Sequence, residues 1–284
     1  MKIQTFKESV LIDKAVLGFS GWPDAGKLIE FTLAQLKNLM PHQTAAVWDL
    51  DGFWHTESVR PRISVRHGQV HRMEWPRYRF SLARADESSS PILLGHGPEP
   101  SLAWRSFAQE LVRLLKGWGC REIYLMGSLL DQIFHDETLI TSVVQDSGSY
   151  NRVRELGCEL IEYTGPSAIH SAIMAEAKEL DIPCVSLWAH LPFYLSGPHE
   201  LIAAELLRIL GALLGVELPT ADLMKAWQKR EKQIEQLVQE DQKLREAIET
   251  IKKEKIIRQP GLSSKVVQFE DFLKKRNGPD SDEE

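Results

Sequence analysis

The chain has 284 residues, 43% of them hydrophobic and 26% charged, with a formal net charge of −6. That is ample length for a sizeable buried core, and the acidic balance speaks against a general nucleic-acid binder, which needs clustered positive charge. No apolar stretch reads as a membrane span: Leu201 to Val216 is short and carries Glu205 and Arg208. MKIQTFKESV at the start holds no apolar signal core, and Cys120, Cys158 and Cys184 lack any zinc-type spacing. They read as buried thiols in a cytoplasmic protein without a metal.

Lys14 to Ser20 (KAVLGFS) predicts a buried strand, followed by a Gly-rich turn. From Ala25 to Met40 the apolar residues Leu28, Phe31, Leu33, Leu36 and Leu39 keep a helical spacing that Pro41 stops. Thr44 to Leu50 reads as the next strand, which completes a βα unit and suggests a parallel sheet. Ile63 to Arg66 and Gln69 to Met73 flank His67-Gly68, the pattern of an inserted β-hairpin, and Arg79 to Arg84 extends it. The α/β rhythm then resumes. Strands are expected at Pro91–Leu94, Glu122–Ser128, Glu159–Glu162 and Cys184–Ala189. Helices are expected at Ser101–Gly117, Ala168–Leu180 and Pro198–Leu214, with a helix or turn region at Gln145–Glu155. Strands rich in Val, Ile and Leu without clean alternation suit a sheet covered on both faces. The fold class that follows is α/β, a three-layer α/β/α sandwich with a mostly parallel sheet.

From Thr220 the texture turns to Gln, Lys and Glu, with Trp227, Ile234, Leu237, Leu244, Ile248 and Ile251 near a three-and-four spacing that Asp241 interrupts. The expected organisation is a core over 1–216, a helical appendage over 217–258, and 259–284 as a short amphipathic segment (Val266 to Lys275) with a disordered acidic tail. The appendage's apolar stripe should pack on its own or a neighbouring core.

Several strand-to-loop junctions carry chemistry-bearing residues, and in open α/β folds ligands bind at that edge. Gly21-Trp22-Pro23-Asp24-Ala25-Gly26-Lys27 has phosphate-loop spacing, but Leu28 stands where a Mg²⁺-binding hydroxyl is needed and Pro23 lacks a donor. The plainer reading is a tight turn with Asp24 as helix cap. Glu99 precedes the helix that holds Trp104 and is either a site carboxylate or a helix-start charge. Ser128, Asp131, His135, Ser167, His170 and His190 offer nucleophiles and bases, yet no GxSxG elbow or HExxH orders them. Arg60, Arg62, Arg66, Arg72, Arg77 and Arg79 gather on the hairpin with Trp75 and Tyr78. They suit either a nucleic acid or, with the chain acidic, carboxylates of a neighbouring subunit.

The same junctions carry a family resemblance. Gly21-Trp22 with Asp24-Ala25-Gly26, Arg60-Pro61, Trp75-Pro76, and Gly97-Pro98-Glu99-Pro100 with Trp104 and Phe107 come in order. Gly127-Ser128-Leu129-Leu130, Gly165-Pro166, and Leu187-Trp188-Ala189 with Pro192 and Tyr194 follow. Together, over roughly residues 10 to 215, they resemble the proteasome-assembly-chaperone family, chaperone 2 type. The resemblance implies a three-layer fold similar to the purine nucleoside phosphorylase type. It also implies a homo-oligomer, commonly a trimer, that meets protein partners. The chain departs from the family at Ile133-Phe134-His135-Asp136, at Pro192-Phe193-Tyr194 and at Ser167-Ala168-Ile169, and it lacks a terminal hydrophobic-Tyr-X signature. The functional expectation is a non-catalytic assembly scaffold with no cofactor, nucleic acid or membrane. The alternative is a small-molecule binder or enzyme, phosphorylase-, hydrolase- or carboxylate–amine ligase-like, at the loop edge. Trp22, Asp24, Arg62, Glu99, Trp104, Ser128, Asp131, His190 and Tyr194 are the candidate binding residues.

The loop from Gly21 to Lys27 generates a first prediction. Purified protein should show no magnesium-dependent ATP hydrolysis above background. Turnover that disappears in Lys27→Ala would refute it.

Overall fold

The computed structural model describes residues 2–5, 11–86 and 89–257. The expected amphipathic segment at Val266 to Lys275 and the acidic tail lie outside them. The strands are β1 (Lys2–Thr5), β2 (Lys14–Ser20), β3 (His42–Asp49), β4 (Arg62–Arg66), β5 (Gln69–Glu74), β6 (Arg77–Ala83), β7 (Ile92–Pro98), β8 (Glu122–Asp131), β9 (Ile140–Val144), β10 (Glu159–Leu160) and β11 (Cys184–Pro192). The helices are α1 (Leu28–Leu39), α2 (Trp104–Gly117), α3 (Ser147–Glu155), α4 (Ile169–Glu179), α5 (Glu200–Leu214), α6 (Ala221–Glu240) and α7 (Gln242–Ile257).

Nine strands form one sheet in the order β1-β3-β6-β7-β2-β8-β11-β9-β10. The centre, β7-β2-β8-β11, is parallel throughout, and antiparallel strands flank it on both sides. Alternate residues of the central strands feed two apolar layers. Val16, Leu94, Tyr124, Met126, Val185 and Leu187 join α1 and α5. Ala15, Leu17, Phe19, Leu93, Ile123 and Leu125 join α2 and α4. Helices therefore cover the sheet on both faces, as a parallel core requires. On the second face Trp48 stacks on Phe107 with ring centroids 4.9 Å apart.

The helix expected from Ala25 begins as a short 3₁₀ turn, and α1 starts at Leu28, because Gly26 and Lys27 have φ of 62° and 55°. The helix expected from Ser101 starts at Trp104, behind a left-handed Ala103. Strands β1 and β9 have no counterpart in the sequence reading. The hairpin of β4 and β5 turns at His67-Gly68, both with positive φ, and forms its own two-stranded sheet. Cys120, Cys158 and Cys184 are buried and unbridged. Among the described residues no helix is long and apolar enough to cross a membrane.

The segment after α5 packs back on the core. Leu218 and Leu223 join the α1/α5 layer. Trp227 is buried and stacks on His199 at 4.5 Å. Arg230 donates to the carbonyls of Ser196 and Pro198 and pairs with Glu200 at 3.2 Å. Asp241, extended at φ −103° and ψ 112°, separates α6 from α7.

Trp227 is thus the chief apolar anchor of α6. Trp227→Ala should lower the unfolding free energy by about 3 kcal/mol, read by urea denaturation. Leu237→Ala, at a position 53% exposed, should change it by no more than about 0.5 kcal/mol. Equal effects from the two would remove α6 from the cooperative fold.

Candidate functional site

The carboxyl ends of β2, β7, β8 and β11 meet at one edge. The loop after β2 is fastened to β8 by Ser128, whose N–H donates to the Pro23 carbonyl and whose hydroxyl donates to the Ala25 carbonyl, both at 2.9 Å. Ser128 has no exposed surface, so its hydroxyl is a stitch and not a nucleophile. Gly26 lies against the backbone of Gly197, where a Cβ would stand 2.7 Å from the carbonyl oxygen.

Asp24 caps α1: its Oδ1 accepts the Ile29 N–H at 2.7 Å. The positive end of the helix, which a phosphate loop offers to its ligand, is filled by the chain's own carboxylate. Burial pushes the Asp24 carboxyl up to about 6, against the pull of its backbone hydrogen bonds. Glu99 does the same for α4, accepting the Ile169 N–H at 2.8 Å, and burial raises its pKa too. Trp104 turns its indole N–H onto the Pro100 carbonyl at 2.5 Å. Trp22 is 62% exposed and meets Trp188 edge-to-face, with centroids 6.2 Å apart. Trp188 lies flat over Gly127, where a Cβ would stand 2.8 Å from the indole.

A second group gathers where β8, β9 and β11 end. Asp131 Oδ2 lies 2.7 Å from His190 Nδ1, and His190 Nε2 lies 3.0 Å from Thr141 Oγ1. Acid, imidazole and hydroxyl stand in the order of a hydrolytic triad. Thr141, however, is buried in β9 between β10 and β11, and a substrate carbonyl has no path to its hydroxyl. The chain of hydrogen bonds is a clasp across three strands. Beside it the Tyr194 hydroxyl accepts the His135 N–H at 2.8 Å and lies 3.0 Å from His135 Nδ1. Burial raises the Tyr194 pKa. Burial, and then Arg230, lowers His199 to about 4, so it faces Trp227 uncharged at neutral pH.

The nine candidate residues therefore divide. Trp22, Asp24, Glu99 and Ser128 surround the ends of β2, β7 and β8, with Trp104 at the start of α2. Asp131, His190 and Tyr194 surround the ends of β8 and β11. Arg62 stands apart on the separate hairpin sheet. Thr141 and Ser186 escaped the sequence reading. The β-branched run from Ile140 to Val144 marks a strand, but nothing local sets Thr141 beside His190.

A parallel-centred sheet covered on both faces, with a projecting hairpin and a carboxyl edge stitched by its own side chains, defines a class of α/β/α scaffold. The chain belongs to the PAC2 family, whose model matches residues 18–238. This bears out the resemblance carried by the ordered loop motifs. A structure described as a proteasome-assembly chaperone homologue from Mycobacterium tuberculosis is 27% identical, with 83% of this chain and 99% of that one covered and a TM-score of 0.75. A PAC2 family protein from Streptomyces avermitilis is also 27% identical, with 83% and 99% covered and a TM-score of 0.71. An archaeal proteasome activator from Pyrococcus furiosus, 13% identical with 83% and 98% covered and a TM-score of 0.64, shares the fold. No curated protein matches the chain significantly.

Asp24 makes stability depend on pH. Its carboxyl titrates near 6 when folded, against an ordinary 3.8. Between those values the unfolded chain releases its proton first, so stability falls as pH rises from about 4 to about 6 and the loss is complete above that. The loss is on the order of 3 kcal/mol at most. Asp24→Asn keeps an oxygen for the Ile29 N–H and removes the titration. The variant's urea midpoint should therefore gain on the wild type's across this window. A difference that stays constant with pH would contradict the assignment.

Proposed function

We propose that the chain is a non-catalytic, self-assembling scaffold, a homo-trimer of the cytoplasm that presents surfaces to partner proteins. The hairpin carries this reading. Its register pairs Ile63 with Met73 and Val65 with Val70, and a bulge beside Ser64 and Val65 keeps all four on one face. Arg62, Ser64 and Arg66, with Arg72, Glu74 and Gln69 opposite them, take the other face. The apolar four are 47–64% exposed.

Each such side chain gains about 1.5–3 kcal/mol when buried, and an isolated two-stranded ribbon is marginal in water. An apolar ribbon face of this kind suits an interface, where the same four residues would form the dry centre. The arginines on the other face then form the rim, where they meet carboxylates of the neighbouring subunit. Charge favours a second copy as the partner. Arg60 to Arg79 carries net +5 in a chain of net −6, so the remainder carries −11. Relatives described as a proteasome-assembly chaperone homologue and a proteasome activator support a role in assembly.

Ile63→Asp with Val70→Asp should reduce the mass in solution to that of one chain, 32.3 kDa, by sedimentation or light scattering. Arg66→Glu with Arg72→Glu, which reverses charge at the rim, should weaken the assembly less than the two aspartates do. A wild-type protein that is already monomeric, or an assembly indifferent to the aspartates, overturns the reading.

A further inference from the structure

The polar face of the hairpin is concave. A cleft of about 340 Å³ opens on it, and its lining includes Arg62, Ser64, Arg66, His71, Arg72 and Glu74. Successive rungs of the ribbon, Arg62–Glu74, Ser64–Arg72 and Arg66–Gln69, each carry one guanidinium. The bulge leaves His71 without a partner in the register. Side chains on one face of a strand recur about every 6.8 Å, so the three cations step along the ribbon at that interval.

Three guanidinium groups here stand against one carboxylate. Arg72 pairs with Glu74 at 2.9 Å, yet its side chain stays 67% exposed. Arg62 and Arg66 have neither an ion pair nor a hydrogen bond among the described residues. Neighbouring cations without counter-charges repel one another, and carboxylates set at the same interval would relieve this. The planar guanidinium fork is matched to a carboxylate, which it holds by two parallel hydrogen bonds.

The chain itself carries such an array. Asp280-Ser281-Asp282-Glu283-Glu284 places four carboxylates in five positions, and no other five-residue run of the sequence has as many. Laid out as a strand, Asp280, Asp282 and Glu284 share one side at intervals of about 6.8 Å. That is one carboxylate for each rung of the cleft. Residues 258–279 lead to the run from α7. A stretch of that length reaches ~75 Å when extended, more than the width of a domain of this size, roughly 45 Å.

We propose that the cleft takes the acidic run 280–284 of a neighbouring copy, laid along the ribbon with Asp280, Asp282 and Glu284 on the three arginines. This rests on the scaffold reading, which brings a second copy to the apolar face of the same hairpin, and it names the carboxylates that meet the rim.

Disulfide trapping in the full chain tests this. Ser64→Cys puts a thiol in the middle of the cleft and Asp282→Cys one in the middle of the run, while Cys120, Cys158 and Cys184 are buried. Mild oxidation of the double variant should give, on non-reducing denaturing electrophoresis, a species of twice the 32.3 kDa chain. It should form at least about fivefold faster than in either single variant, because docking raises the local thiol concentration. Adding Arg62→Gln with Arg66→Gln should slow it about fivefold, the effect of losing two exposed ion pairs. Salt at about 0.5 M should do likewise. A bond closed within one chain, a rate indifferent to the arginines, or no preferred bond in a protein of confirmed assembled mass overturns the proposal. So does calorimetry in which the wild type takes up tripolyphosphate as tightly as a chain with Asp280→Asn, Asp282→Asn and Glu284→Gln, since a filled cleft excludes a second anion. Sedimentation of the unoxidised protein separates the two readings: a monomer fails both, and an assembly without the bond fails this one alone.

Discussion

The constraint on which this structure depends is a parallel sheet that must be dry on both faces. The four central strands satisfy their peptide groups in one another, and their side chains point alternately into two apolar layers. Polar groups in that interior need partners or incur a desolvation cost. Chemistry-bearing residues are therefore pushed to the strand ends. At the amino edge this gives a network on the end of α5: Lys14 Nζ donates to the Leu213 and Leu214 carbonyls at 2.9 and 3.1 Å, and Tyr124 and Arg152 also donate to Leu213. Glu122 accepts from Arg152 and Tyr124. Cations there complement the negative end of the helix.

At the carboxyl edge the same pressure gives a different outcome. Asp24, Ser128, Asp131 and Glu99 are spent on the fold, two as helix caps, one as a stitch and one in a clasp. A carboxylate on a helix end satisfies a backbone donor that a ligand would otherwise find. This is why a loop with phosphate-loop spacing is a structural turn. It is also why an acid–imidazole–hydroxyl chain joins strands without reaching a substrate. The helix α6 closes the flank of this edge through Trp227 and Arg230. The projecting hairpin is left with four apolar side chains bare.

Much of the fold was legible in the sequence because its signals are local. Apolar runs marked β2, β7, β8 and β11, helical spacing marked α1, α4 and α5, and His67-Gly68 marked the hairpin. The misses have local causes too. Strand β9 is a short β-branched run lodged among polar residues, and β1 pairs only with β3 at the sheet's edge. The starts of α1 and α2 shifted because Lys27 and Ala103 take left-handed conformations, which lie outside any apolar periodicity. At the site, the sequence placed Asp24 at a helix start and Glu99 at a strand end. It gave no sign that Glu99 caps α4, a helix 70 residues further on.

By itself, the sequence determined the layered α/β class, the parallel centre, the hairpin and the family, since each rests on residue types at short, fixed spacings. The tertiary structure decided which polar residues were already committed and which were left over. Asp131 and His190 are 59 residues apart and meet only because β8 and β11 are neighbours in the sheet. The alternation that puts Ile63, Val65, Val70 and Met73 on one bare face depends on a bulge that no spacing rule marks. His170 Nδ1 meets Ser186 only because α4 packs over β11. Partnership between distant side chains is a property of strand order and register, and those are settled by how two apolar layers close over one sheet.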